Sequence, residues 1–153
     1  MHRVRNRFVL SLEALVLCAN MVCSNVFAVS DSRNPQDWYA KAQADLEVAR
    51  LAYERTNDYD VICFLSHQAV EKTLKGALFG QGMIPDKSHD TARLLDRYLH
   101  FKPELKSFDI PLRRLDDLYT PSRYPKPGLE ISQEDAEKSL ETADHLINQI
   151  QTH

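Results

Sequence analysis

Between residue 35 and the C-terminus, apolar side chains recur at intervals of three and four, and no stretch alternates with period two long enough to form a strand. Trp38, Ala42, Leu46, Ala49 and Tyr53 follow this rhythm and predict an amphipathic helix from about Pro35 to about Arg55. Pro35 is tolerated in the first turn, where its missing N–H has no partner to lose. Thr56-Asn57-Asp58 breaks this helix and caps the next one. In the run Asp58–Gly82, Tyr59, Cys63, Val70, Leu74 and Ala77 share a face that Ile62, Leu65 and Ala69 widen. A face that broad predicts a central helix touching several neighbours. Gly80, Gly82 and Pro85 end it.

Ser88-His89-Asp90 begins a short third helix, with Ser88 as its N-cap, Asp90 favoured by the helix dipole, and Leu94, Leu95, Tyr98 and Leu99 on its buried side. Pro103 interrupts. Asp109 and Pro111 open a fourth helix on which Phe108, Leu112, Leu115 and Tyr119 align. Residues 120–129, TPSRYPKPGL, hold three prolines and a glycine and form no regular structure. Ser132 and Asp135 resemble a capping box, after which Ala136, Leu140, Ala143, Ile147 and Ile150 stripe the last helix. The fold class this implies is all-α: an antiparallel bundle of about five helices, three long and two short.

Residues 1–33 read as an N-terminal extension to this 34–153 domain. A basic start, MHRVRNR, precedes an apolar stretch that ends Val26-Phe27-Ala28, as a secretory signal does. Glu13 and Asn20 interrupt the stretch and leave it too broken for a membrane span of about 20 apolar residues. The readings are a signal peptide, an added amphipathic helix, or an upstream extension before a start near Met21; the extension is preferred.

Charge narrows the function. Residues 35–153 carry 15 basic and 20 acidic side chains, a net of −5, which disfavours a general nucleic-acid binder because that affinity comes from neutralising phosphates. The cysteines, Cys18, Cys23 and Cys63, lack C-x-x-C spacing, and their odd number argues against a disulfide framework. Cys63 reads as a small buried hydrophobe. No metal-ligand cluster and no cofactor motif are present.

The order of short motifs resembles the HEPN domain family (higher eukaryote and prokaryote nucleotide-binding domain). Trp38-Tyr39-Ala40-Lys41-Ala42 with Asp45-Leu46 matches the opening of that family. The run from His67 through Gln68-Ala69-Val70-Glu71-Lys72 to Lys75 matches its second-helix signature, and His89-Asp90, Leu118-Tyr119 and Ser122-Arg123-Tyr124-Pro125 follow. The resemblance implies a helical bundle, commonly a homodimer, often encoded beside a small nucleotidyltransferase in toxin–antitoxin pairs. Many members are metal-independent RNases with Arg, four to six residues, then His at the start of the last long helix. Here that place offers Arg123-Tyr124-Pro125, and no histidine lies between Arg123 and Asp144. Arg93 and His100 have the spacing by chance, on the third helix.

These readings converge on a non-catalytic, dimeric module that binds a nucleotide, RNA or a nucleotidyltransferase partner in the cytoplasm, or outside it if residues 1–28 are a signal. The alternatives are an RNase toxin with an unrecognised acid–base pair and a purely structural interaction protein. Arg123 offers planar recognition of phosphate ahead of a helix N-terminus, and Tyr124 a ring for stacking on a base. Lys72, Lys75 and His89 are the further candidate ligand-binding residues, the two lysines facing a cleft shared with Arg123. Against this stand ordinary roles. Glu71 and Lys75 fit a surface ion pair, His67 a half-buried residue with one hydrogen bond, Arg113 and Arg114 solvated charges, and Trp38 a core or dimer-interface anchor.

Overall fold

The computed structural model describes residues 31–152; the signal-like stretch and the preferred extension fall outside them, apart from residues 31–33. Five α-helices follow: α1 (Pro35–Arg55), α2 (Tyr59–Gly80), α3 (Thr91–Tyr98), α4 (Asp109–Tyr119) and α5 (Gln133–Gln151). Among the described residues there is no strand.

The ends of the long helices are set by short polar side chains. Asn34 accepts from the Gln36 amide, Asp58 from that of Val61, and Ser132 from that of Asp135, whose carboxylate accepts in return from the Ser132 amide. The third helix starts later than Ser88. Asp90 is its N-cap, accepting from the Arg93 amide at 2.7 Å, while Ser88 Oγ accepts from the Asp90 amide and shapes the approach. His89 therefore lies outside the helix. Pro103 opens a 3₁₀ helix, Pro103–Phe108, that runs directly into α4 and buries Leu105 and Phe108.

α2 packs against each of the other four α-helices. Its breadth follows from its sequence: Ile62, Ala69, Val70, Leu74 and Leu78 have no exposed surface, and Ala77 almost none. All but Ile62 cluster with Leu46 from α1, Leu94 and Leu95 from α3, Leu112 and Leu115 from α4, and Leu146 and Ile147 from α5. Near its N-terminus, Ile62 and Cys63 pack on Ala136 of α5. Gly76 lets α1 close on α2: a Cβ there would sit 2.9 Å from the Tyr39 ring and 3.0 Å from Trp38 Cβ. Trp38 is partly buried against Phe79, with ring centres 5.7 Å apart.

Candidate functional site

Two helical stripes face each other on one side of α2. Phe64, His67 and Glu71 are three and four residues apart on α2, and Asp116 and Tyr119 are three apart on α4, so each set projects together. His67 is fully buried, its Nε2 3.0 Å from Asp116 Oδ1. Asp116 also accepts from the amides of Thr91 and Ala92, at 2.9 and 3.0 Å, and from the Thr91 hydroxyl at 2.9 Å. One carboxylate thereby clamps the first turn of α3 to the central helix. Burial pushes its pKa up, but the hydrogen bonds from His67, Thr91 and Ala92 outweigh that and hold it below the usual carboxylate value. Since the ionised Asp116 accepts, His67 Nε2 carries the proton; Nδ1 faces Glu71, 4.0 Å away, without a hydrogen bond.

Glu71 is the second hub. Its side chain is 7% exposed and accepts from Lys75 Nζ at 2.7 Å and from His89 Nδ1 at 3.0 Å. The Glu71–Lys75 pair is thus buried rather than on the surface. His67 likewise is a core residue rather than half-buried. His89 remains 59% exposed, with Nδ1 fixed by the carboxylate and Nε2 open.

Tyr119 joins the parts. Its ring centre lies 4.3 Å from that of His67, 5.7 Å from that of His89 and 6.3 Å from that of Phe64. The Arg123 guanidinium lies 5.1 Å from the same ring centre, 5.3 Å from that of Tyr124 and 5.7 Å from that of Phe64. It donates to the Tyr119 hydroxyl at 2.7 Å and, more weakly, to that of Tyr124 at 3.4 Å. Among the described residues no carboxylate pairs with it. Beside it runs an open groove of about 920 Å³, lined in part by Tyr59, Pro121, Arg123, Tyr124, Pro125 and Ile131. The groove is electrostatically mixed, with Asp58, Asp60 and Glu130 against Arg123 and Lys126.

The expected cleft of Lys72, Lys75 and Arg123 does not form. One residue beyond Glu71 turns Lys72 about 100° around the helix, where it pairs with Asp45 of α1. Lys75 is neutralised by Glu71 and lies 6.0 Å from the Trp38 ring centre. Nor does Arg123 belong to the N-terminus of α5. Amide bonds from Ser122, Arg123 and Tyr124 to Leu118 and Thr120 wind it onto the end of α4, and Ser132 and Asp135 already occupy the start of α5. Arg93 pairs with Asp86, while His100 lies past the end of α3, edge-on to Phe101; neither touches the Tyr119 cluster. Arg113 and Arg114 are mostly exposed but paired, with Asp109 and Asp135. Asp116 and Thr91 went unread in the sequence; an aspartate three residues before Tyr119 was the available signal. Among the described residues, no group of three His, Cys, Asp or Glu side chains is disposed to hold a metal ion.

The model of the HEPN domain matches residues 35–152. The chain belongs to the HEPN family. A HEPN homologue of archaeal origin, known from its crystal structure, is 31% identical with a TM-score of 0.60, over 78% of this chain and 96% of its own. A Thermus thermophilus protein of known crystal structure shares the fold at 24% identity and a TM-score of 0.65, over 79% of this chain and 98% of its own. A Methanocaldococcus jannaschii protein named as a candidate toxin is 27% identical over 72% of this chain and 81% of its own. Within this HEPN domain, α2 contributes His67, Glu71 and Lys75 to the buried network. Among the described residues, no helix is long and apolar enough to cross a membrane.

Proposed function

We propose that this HEPN domain binds single-stranded RNA or a nucleotide, with a phosphate on Arg123 and a base on Tyr124. The observation that carries the reading is the Arg123 guanidinium, held by two tyrosine hydroxyls beside three aromatic rings without a carboxylate among the described residues. A guanidinium stacked in this way presents its remaining N–H groups in a plane, as bidentate contact with a phosphate requires. Tyr124, 59% exposed, leaves a ring face for a base. The carboxylates of the groove favour one phosphate contact with stacking over a charged track for a long polyanion.

Fluorescence anisotropy with a labelled single-stranded 2′-O-methyl RNA, together with thermal shifts on added nucleotides, tests this. Saturable binding or stabilisation, lost in Arg123→Ala, is the expected result. A flat response to every oligonucleotide and nucleotide overturns it. The homodimer and the nucleotidyltransferase partner belong to the same proposal, and Val48 and Leu51, about half-exposed on α1, offer an apolar contact surface. Light scattering on the full chain reads the dimer directly; a monomer at micromolar concentration removes it.

A further inference from the structure

We propose that this site selects ribose over deoxyribose: His89 reads the 2′-hydroxyl of the nucleotide whose phosphate lies on Arg123, with Glu71 as its positioning residue. The inference rests on the binding reading and names the class of nucleic acid that the site takes. His89 Nδ1 lies 3.0 Å from Glu71 Oε2. Glu71, whose side chain is 7% exposed, also accepts from Lys75 at 2.7 Å and from Gln68 at 3.4 Å. A carboxylate surrounded by donors leaves the proton of the His89 contact on Nδ1, so Nε2 of the neutral imidazole presents a lone pair. That nitrogen has no hydrogen-bond partner among the described residues, and the side chain is 59% exposed. The Nδ1 contact alone anchors the turn before α3 on α2; Nε2 is left over for a donor from outside.

The chemistry of a nucleotide limits what that donor is. With the phosphate on Arg123 and the base on Tyr124, the sugar that joins them is the part left to meet a third group. The Tyr119 ring centre lies 5.7 Å from that of His89 and 5.1 Å from the Arg123 guanidinium, so the third group stands beside the phosphate ligand. An ionised phosphodiester offers only acceptors. Inside a strand the 3′ and 5′ oxygens are esterified, and the 2′-hydroxyl is the donor that the sugar retains. DNA lacks it, and the ring oxygen common to both sugars only accepts. The Nε2 lone pair therefore has a partner in RNA and none in the sugar of DNA. The other described histidine of the cluster, His67, has no exposed surface and is committed to Asp116.

Anisotropy titrations of the full chain use one mixed sequence made as labelled single-stranded RNA, as its 2′-fluoro counterpart and as DNA. Fluorine keeps the pucker of the ribose but cannot donate, so the 2′-fluoro strand separates the hydrogen bond from the shape of the strand. RNA is expected to bind about threefold to tenfold more tightly than either of the others, the worth of one hydrogen bond between neutral groups. In His89→Ala the RNA affinity falls to that of the 2′-fluoro strand. Glu71→Gln removes the carboxylate that holds Nε2 as an acceptor and shrinks the same preference. Loosened packing alone weakens all three strands alike and leaves their ratio unmoved; thermal unfolding checks the fold of both variants. RNA and 2′-fluoro strands bound within about twofold of each other by the wild type, or an RNA preference intact in His89→Ala, overturns the assignment of His89 and leaves the binding reading standing. Failure of all three strands to bind overturns both.

Discussion

His67 on α2 reaches Asp116 on α4 at 3.0 Å, and the same carboxylate accepts the first two amides of α3, so one buried group ties three helices together. The two charges of opposite tendency, an anion and the positive end of a helix, are paired where water is scarce. His89, in the turn before α3, and Tyr119, on α4, lie next to this junction, with ring centres 5.7 Å apart.

Asp116→Asn is expected to lower stability by about 1.5–3 kcal/mol, the range for hydrogen bonds to a charged group. The folded pKa of Asp116 lies below its ordinary 3.8, so its contribution is complete above that value and is lost as the pH falls below it. Thermal unfolding from pH 7 to pH 2 checks both points: the gap between wild type and variant narrows at the acid end.

Gly76→Ala tests the close approach of α1 and α2. In an exposed helix interior, alanine is favoured over glycine by about 1 kcal/mol. Here the added methyl meets Trp38 Cβ at 3.0 Å, an atom next to backbone that cannot retreat without moving α1. Overpacking of this kind costs about 1–3 kcal/mol, so a net loss of up to about 2 kcal/mol is expected in denaturant unfolding.

Tyr124→Ala should weaken single-stranded RNA by about 1–3 kcal/mol, the worth of one stacked base. Arg123→Lys keeps the charge and should recover only part of the affinity lost in Arg123→Ala, because an ammonium cannot reproduce the planar fork. A single phosphate contact predicts a log–log salt slope of about −0.7; a slope several times steeper refutes it. Anisotropy titrations at several salt concentrations measure all three.

The Arg93 and His100 pair, matched by spacing, should be inert. Arg93→Ala/His100→Ala is expected to bind RNA within about twofold of wild type, about 0.4 kcal/mol by the usual conversion. Loss of binding in the same anisotropy assay would reinstate the pair.

Cys63 is expected to resist thiol reagents in the folded protein. Burial first, and nearby Asp135 and Asp60, push its thiol up to about 11, with the Ser139 contact opposing, so little thiolate exists at neutral pH. Peptide mapping after alkylation should find Cys63 unmodified natively and fully modified in denaturant.

The sequence by itself determined the helices and the family. Periods of three and four, the caps Asp58 and Ser132, and prolines at the starts of helices are local signals, and local rules read them almost to the residue. It also named Arg123, Tyr124 and His89. Only the tertiary structure decided which of these share a place. Position around a helix axis sends Lys72 to Asp45 and Glu71 to His89, although the two are adjacent in the chain. Likewise, no local rule shows that Asp116 on α4 would cap α3, or that the Tyr119 ring would bring His89 and Arg123 together. Those contacts join residues 25 or more positions apart, or depend on how two helices are rotated against each other, and that is set by packing the whole core around α2.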